Sequence, residues 1–252
     1  MSFAKIKDLN IYYENKGSGN NYVVLLHGWG QNTVMMDYIA TFLSDNFNVY
    51  NLDFPGFGKS EEPKEPWSVQ DYADFLAEFI RVNHIENPIL IGHSFGCRVA
   101  IRYAYNHPVK KMCLTGAAGI RDKHGVDWYV KTYSYKAGKK ILSLKPFEKY
   151  LKAMQDKAGS EDYKNASGVM RTTLVKVVND DITDLLKDIN VETLLVFGSN
   201  DEATPVQKGK MMEKLMPNAT LIIFENDDHF AYFHEWPRFN AVLKAFLGEY
   251  YA

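Results

Sequence analysis

The residue best placed for chemistry is a serine between two glycines. Ser94 lies in the sequence GHSFG (92–96), between an apolar run at 89–91 and a stretch with helical spacing at 95–107. A serine at such an abrupt strand-to-helix turn needs glycines on both sides, because the backbone folds back on itself there. The turn holds the hydroxyl clear of the main chain and aims the first amides of the helix toward any negatively charged oxygen that forms at the serine. The pattern therefore predicts a nucleophile at Ser94.

A serine hydroxyl is a weak nucleophile near neutral pH and needs a base within hydrogen-bond distance. The chain has seven histidines, and His229 is the preferred base because it lies in the short stretch 226–230 that follows the last apolar run, at 219–225. His234, five residues later, is the alternative. His93 lies inside the turn, and we expect its ring to point away from Ser94.

The base needs a carboxylate that fixes its tautomer and stabilises its protonated form. Asp201 follows the apolar run at 193–197, in a loop before Pro205. Glu202 is adjacent, but a shift of one residue turns its side chain elsewhere. The chain order Ser94, Asp201, His229 then gives a serine, an acid and a base, each just beyond a predicted strand end.

Two backbone amides are candidates for stabilising an oxyanion, those of Trp29 and Phe95. Trp29 lies in HGWG (27–30), whose glycines favour a loop that approaches the reacting atoms, although an aromatic residue there can also be a core residue. We expect His27 to support this loop and to border the substrate pocket. Each amide in such an oxyanion hole lowers a reaction barrier by about 3 kcal/mol.

Strand-like and helical stretches alternate along most of the chain. Residues 3–7 and 11–14 predict an antiparallel hairpin, and the strands that follow at 22–27, 47–53, 89–91, 112–115, 193–197 and 219–225 are separated by helical patterns. This alternation predicts an α/β fold with a mostly parallel sheet and right-handed crossovers. Ligand sites in such sheets lie at the carboxyl ends of the strands, which is where the candidate residues fall.

Composition excludes several classes of protein. The 252 residues carry a formal charge of −2, which argues against nucleic-acid binding by the whole chain. Cys97 and Cys113 lie in apolar surroundings and need no oxidising compartment; Cys97 follows the turn, but we expect a small core residue there and not a nucleophile. No run of 18 apolar residues occurs and the first ten residues have no apolar signal core, so we expect a cytoplasmic protein with no membrane span.

The alternation stops after residue 119. Residues 121–164 contain 11 lysines and arginines against 6 aspartates and glutamates, with helical spacing. This predicts a basic helical cap at 120–186, inserted into a core formed by 1–119 and 187–252. We expect aromatic residues of the cap to line an apolar pocket or to pack the cap onto the core; they are Trp128, Tyr129, Tyr133 and Tyr135.

The motifs HGWG (27–30), DFPGFGKS (53–60), GHSFG (92–96), GSNDEATP (198–205) and DHFAYFHEWP (228–237) resemble those of the α/β-hydrolase family. The resemblance covers the chain outside the insertion. It implies an eight-stranded, mostly parallel sheet flanked by helices, with a helical cap. It also implies Ser94 as nucleophile, His229 as base and Asp201 as acid, with the oxyanion amides at Trp29 and Phe95. One departure is Asp228, since the residue before the base is usually glycine in the family.

HGWG (27–30), the DFPGFG loop (53–58), the chain length and the basic cap together are similar to those of pimeloyl-carrier-protein methyl ester esterases, although the GHSFG turn differs from theirs. GHSFGCRVA (92–100) resembles carbon–carbon bond hydrolases of the same fold. We expect a serine hydrolase that cleaves a carboxylic ester of a small or acyl substrate through an acyl-enzyme, without metal or cofactor. Thioesterase and carbon–carbon bond hydrolase activities stay open, as does a non-catalytic ligand receptor on this scaffold. The basic cap is a candidate surface for an acidic acyl carrier protein, or a solvated face that serves solubility.

Overall fold

The computed structural model describes residues 2–121, 162–163, 166 and 168–251. In this part of the chain eight strands form one sheet, in the order β1-β2-β4-β3-β5-β6-β7-β8. The strands are β1 (Ser2–Ile6), β2 (Leu9–Lys16), β3 (Tyr22–Leu26), β4 (Asn48–Leu52), β5 (Ile89–His93), β6 (Lys111–Thr115), β7 (Glu192–Gly198) and β8 (Ala219–Phe224).

The sheet is antiparallel only at one edge. β1 pairs with β2 and β2 with β4 in antiparallel register, and the remaining neighbours, from β4 through to β8, are parallel. The predicted opening hairpin and the mostly parallel, eight-stranded α/β sheet are therefore confirmed. All parallel strands end at the same edge, which brings the loops that follow β3, β5, β7 and β8 to one side of the molecule.

Helices cover both faces of the sheet. They are α1 (Asp37–Leu43), α2 (Val69–Val82), α3 (Phe95–Ala104), α4 (Gly168–Val178), α5 (Val206–Leu215), α6 (Ala231–His234) and α7 (Trp236–Phe246), with short 3₁₀ turns at Thr33–Met36, Thr183–Asp188 and Gly248–Tyr250. A capping box begins α2, since the Ser68 side chain accepts a hydrogen bond from the Asp71 amide and the Asp71 carboxylate accepts one from the Ser68 amide. The 3₁₀ turn at Thr33–Met36 leads into α1, and its Thr33 amide donates to the carboxylate of Asp53, the residue after β4, at 2.6 Å.

The inner parallel strands β3, β5, β6 and β7 are buried on both faces, so successive residues enter different cores. In β3, Val24 and Leu26 join the cluster that packs against α2 and α3, whereas Val23 and Leu25 join the one that packs against α1 and α7. This explains the continuous apolar run of the strand, because neither face meets water. Because a hydrophobic core packs against each face of the sheet, the carboxyl ends of its strands hold the loops that follow them in defined positions.

The chain that follows the insertion returns to this core. Thr173 of α4 accepts a hydrogen bond from the Trp67 amide at 3.1 Å, and Asp180 pairs with Arg102 of α3 at 2.6 Å. The division of the chain at 120 and 186 stays a prediction, because most of the segment lies outside the described residues. Among the helices that the structure describes, none is long and apolar enough to cross a membrane.

Candidate active site

Ser94 lies at the sharp turn between β5 and α3. Its backbone has φ +51° and ψ −108°, a left-handed conformation that side chains other than glycine rarely adopt. The Ser94 amide donates to the carbonyl oxygen of Thr115 at 3.0 Å, which holds the turn against the end of β6. The side chain keeps partial exposure. Backbone strain of this kind occurs at functional sites, where the surrounding structure enforces it.

The glycines beside the turn allow close backbone contacts. A Cβ at position 96 would lie 2.1 Å from the carbonyl oxygen of Leu26 and 2.8 Å from that of His27, and one at position 92 would lie 3.0 Å from the Cys97 amide. The turn after β5 therefore packs against the end of β3 with no room for a side chain. The prediction that glycines are needed here is confirmed.

This contact brings the loop after β3 to the start of α3. The Trp29 ring packs edge-on against Phe95 and Phe57, with centroid separations of 5.5 and 4.9 Å. Among the hydrogen bonds of the described residues, neither the Trp29 amide nor the Phe95 amide donates to a protein atom. Phe95 directly follows Ser94, and the Trp29 ring packs against that of Phe95, so both amides lie in segments next to the serine turn.

The loops after β7 and β8 bring an acid and an imidazole together. His229 Nδ1 lies 2.7 Å from Oδ2 of Asp201. The Asp201 side chain is fully buried, whereas 17% of the His229 side chain is exposed. Since Nδ1 carries the hydrogen shared with the carboxylate, Nε2 is the ring nitrogen with a free lone pair.

Asp201 is also held by Thr204. The Thr204 amide donates to Oδ1 at 2.7 Å, and the Thr204 hydroxyl donates to Oδ2 at 2.7 Å. Burial raises the pKa of Asp201, but the hydrogen bonds from His229 and Thr204 lower it by more, so the pKa lies below its ordinary value. The acid is therefore ionised near neutral pH and accepts every hydrogen bond it receives.

Two further residues place the His229 ring near Ser94. His93, directly before Ser94, has its ring centroid 4.7 Å from that of His229. Gly116 directly follows Thr115, and a Cβ on it would lie 2.9 Å from His229 Nδ1. The imidazole thus rests on the residue before the serine and on the turn that binds the serine's amide.

His93 is a buried and uncharged neighbour of the base. Its Nδ1 lies 3.1 Å from the hydroxyl and 3.2 Å from the carbonyl oxygen of Thr115. Burial, together with the nearby His229, lowers the pKa of His93 to about 3. The ring is therefore neutral near pH 7, and it packs against the rings of His229, Phe230 and Tyr232.

The prediction that His27 borders the substrate pocket is wrong. The His27 side chain is fully buried, its Nδ1 donates to the Gly28 carbonyl at 2.7 Å, and its Nε2 accepts from the Phe54 amide at 2.9 Å. Burial lowers its pKa to about 4. Both ring nitrogens are thus used inside the protein, and His27 supports the loop that carries Trp29 without reaching a ligand.

The alternatives to the acid, base and nucleophile lie elsewhere. His234 Nδ1 pairs with Asp227 at 2.9 Å on the surface, and Glu202 is exposed. Cys97 is fully buried, and burial raises the pKa of its thiol well above the ordinary value, as expected for a core residue. The remaining predicted pocket residues, Trp128, Tyr129 and Tyr133, lie outside the described residues, as does Tyr135.

A comparison with protein families decides the class. The profile of the alpha/beta hydrolase fold matches residues 21–235. The chain belongs to the α/β-hydrolase fold family. This α/β hydrolase is 26% identical to a proline iminopeptidase from Saccharolobus solfataricus, over 99% of this chain and 93% of that protein. It is 25% identical to the AB hydrolase superfamily protein YisY from Bacillus subtilis, over 94% of this chain and 95% of that protein.

Solved structures of other hydrolases share the fold. An esterase from Exiguobacterium antarcticum matches with a TM-score of 0.75 and 24% identity, covering 98% of this chain and 99% of that one. A meta-cleavage product hydrolase from Pseudomonas fluorescens matches with a TM-score of 0.75 and 20% identity, covering 99% and 98%. At this level of identity the likeness establishes the architecture of this α/β hydrolase, and its chemistry has to be argued from its own residues.

Proposed function

We propose that this chain is a serine hydrolase that cleaves a carboxylic ester through an acyl-enzyme. Ser94 is the nucleophile, His229 the general base and acid, and Asp201 the carboxylate that orients it. The amides of Trp29 and Phe95 form the oxyanion hole. The substrate is a carboxylic ester of either a small molecule or a longer acyl chain. The proposed reaction uses the side chains and amides named above, without a metal or a cofactor.

The observation that carries the proposal is the buried Asp201–His229 pair beside a strained serine. A 2.7 Å hydrogen bond from Nδ1 to a buried carboxylate selects the tautomer in which Nε2 can take a proton. The positive φ of Ser94 supports the same conclusion, because this backbone conformation costs energy and residues in such conformations cluster at functional sites. Three residues far apart in sequence, in the expected order, share one edge of the sheet.

The proposed reaction has two halves. The Ser94 hydroxyl oxygen attacks the ester carbonyl carbon while His229 Nε2 takes the hydroxyl proton, and the carbonyl electrons move onto the oxygen. Collapse of this intermediate breaks the bond to the alcohol, which leaves with the proton from His229. Water then attacks the acyl-serine with His229 as base again, which releases the acid and restores the serine.

The surroundings suit these charges. The ionised Asp201 stabilises the imidazolium that forms on His229, and the amides of Trp29 and Phe95 stabilise the oxyanion by about 3 kcal/mol each. His93 does not compete for the proton near neutral pH, because burial keeps its ring uncharged. The proton of the Ser94 hydroxyl therefore has one acceptor in this proposal, Nε2 of His229.

Hydrolysis of short p-nitrophenyl esters by the wild-type protein and by Ser94→Ala tests the proposal. We expect the substitution to reduce kcat roughly a million-fold with the fold intact, because it removes the nucleophile. Ser44→Ala is the matched control, since Ser44 caps a helix away from this edge, where its hydroxyl donates to the Thr41 carbonyl. Retained activity in Ser94→Ala, or an equal loss in the control, would show that the nucleophile is misassigned.

The same assay separates the other chemistries. A panel of esters, acyl thioesters and carbon–carbon bond substrates of increasing acyl length reports which bond is cleaved fastest. Preference for a thioester or a carbon–carbon bond would leave the proposed roles of Ser94, Asp201 and His229 in place and change the proposed substrate class. Tight binding of acyl ligands with no burst and no turnover points to a receptor. An acidic acyl carrier protein stays a predicted partner, since Lys139 and Lys140, the residues for its charge-reversal test, lie outside the described residues.

A further inference from the structure

One residue binds both oxygens of the candidate acid. The Thr204 amide donates to Asp201 Oδ1 at 2.7 Å, and the Thr204 hydroxyl donates to Oδ2 at the same distance. Both residues are nearly fully buried, with 4% of each exposed. Two donors from one residue on the two oxygens of one carboxylate fix its plane, as well as its position, because rotation about the bond to the carboxyl carbon would break both contacts.

The hydroxyl of Thr204 meets the base as well. Thr204 Oγ1 lies 3.2 Å from His229 Nδ1, and both atoms lie 2.7 Å from the same oxygen, Asp201 Oδ2. Nδ1 carries its own hydrogen in the tautomer that leaves Nε2 free, so it has no lone pair for the hydroxyl proton. The single hydroxyl proton therefore goes to Oδ2, and the two donors converge on one acceptor.

We propose that Thr204 is a positioning residue of this site, whose amide and hydroxyl hold the Asp201 carboxylate in the plane that presents Oδ2 to His229. Its effect on the reaction passes through the acid and the base, and Thr204 does not touch the reacting atoms. The activity readout of this inference rests on the proposed function, but the contact itself can be measured without turnover.

The local sequence explains why the contact forms. Thr204 is three residues after Asp201, a spacing at which an aspartate accepts hydrogen bonds from the backbone and hydroxyl of a turn. Pro205 follows and leads into α5, and it disfavours helical backbone at the residue before it. The helix therefore begins beyond Thr204, whose amide and hydroxyl remain free to turn back toward the acid.

The test compares Thr204→Val, which keeps the shape and the amide but lacks the hydroxyl, with Thr204→Ser, which keeps the hydroxyl. Thr183→Val is the matched control, because Thr183 also donates its amide and its hydroxyl to a nearby aspartate, both to Oδ1 of Asp181, in a different loop. We expect Thr204→Val to lower kcat about 10- to 100-fold, because the Asp201 carboxylate and the His229 imidazole lose their alignment. KM should change by less than about twofold, because Thr204 does not contact the substrate. Thr204→Ser should restore kcat, and Thr183→Val should leave it unchanged.

A proton NMR measurement gives the second readout. In the Ser94→Ala background, the low-field resonance of the His229 Nδ1 proton should be sharp with Thr204 or serine and broadened with valine, as the carboxylate gains freedom to turn. If wild-type protein hydrolyses no substrate, the proposed function fails while this comparison still decides the role of Thr204. If Thr204→Val does not fold, as judged by circular dichroism, Thr204→Ala takes its place in both measurements.

A purely structural role predicts a different pattern. Wild-type kcat and an unchanged resonance in folded Thr204→Val would overturn the proposal, and so would an equal loss of kcat in the serine and valine variants. A loss that appears equally in Thr183→Val would also count against it, because that threonine supports a different loop.

Discussion

The two sides of the candidate site are held in place by different forces. At Ser94 the position comes from the backbone, through a positive φ and through glycines such as Gly96 that leave no space between neighbouring loops. At Asp201 and His229 it comes from side-chain hydrogen bonds at 2.7 Å. Where two main chains touch, an added side-chain atom forces them apart. Where side chains are held by hydrogen bonds, a small change of volume is tolerated, but replacing an acceptor by a donor breaks the bond.

Among changes that keep the Ser94 hydroxyl, the largest effect should come from changing the donor pattern on the acid side. Asp201→Asn keeps the volume but can offer an N–H to His229, which selects the wrong tautomer, so we expect kcat to fall about 10⁴-fold with little change in fold. Steady-state kinetics on the preferred ester measures this. Glu202→Gln, a charge removal on the adjacent exposed residue, is the control. If both variants keep comparable activity, the carboxylate is not the orienting group.

The same variant carries a pH signature. The pKa of Asp201 lies below its ordinary value, so this residue contributes stability above that value and the contribution is lost as pH falls through the lowered pKa. Carboxyl groups lose their charge between about pH 5 and pH 2. Over this range the melting temperature of Asp201→Asn should therefore fall less steeply with pH than that of the wild type.

The next effect should come from adding one carbon on the serine side. The Cβ of Gly96→Ala would lie 2.1 Å from the Leu26 carbonyl oxygen, so two backbone segments must separate. We expect a loss of about 3 kcal/mol in the free energy of unfolding and about a 100-fold loss in kcat. Urea unfolding and ester kinetics report the two. Gly248→Ala is the control, because nothing lies within 4 Å of its Cβ. Equal stability of the two variants would contradict the backbone argument.

The smallest effect should come from the surface histidine beside the base. His234→Ala removes an exposed ion pair with Asp227, so we expect kcat within about twofold and a loss in the free energy of unfolding of about 0.5 kcal/mol or less. The hydrogen bond with Asp227 raises the pKa of His234, so this contribution is present below about pH 6.5 and disappears as pH rises through the raised pKa. Melting curves at pH 6 and pH 9 check the trend. A large kcat loss would make His234 the base.

Much of this arrangement could be predicted from sequence, because strand ends follow from apolar runs and parallel strands end at one edge. Ser94 was accessible in this way through its glycines, and Asp201 and His229 through their places after β7 and β8. The alternation of apolar and turn residues also predicts the sheet, since a strand buried on both faces has to be apolar throughout.

What escaped prediction depends on where side chains point after a strand ends. His27 and His229 both follow a strand, yet the loop geometry turns one toward Phe54 in the interior and the other toward Asp201. Thr204 carried a local signal, a threonine three residues after an aspartate and just before a proline, but the spacing alone does not say which carboxylate is the acid. Gly116 looked like an ordinary loop glycine, because only the folded chain places it under the His229 ring.

The acid and base loops are also joined through their main chains. The Ser199 amide donates to the Phe224 carbonyl at 2.9 Å, the Asn200 amide donates to that of Asp227 at 2.8 Å, and a Cβ on Gly198 would lie 2.2 Å from the Asp228 carbonyl oxygen. These contacts tie the two loops directly to each other. Because the main-chain bonds and the Asp201–His229 hydrogen bond tie the same two loops, a change that displaces either loop is expected to move the carboxylate and the imidazole together relative to the Ser94 hydroxyl.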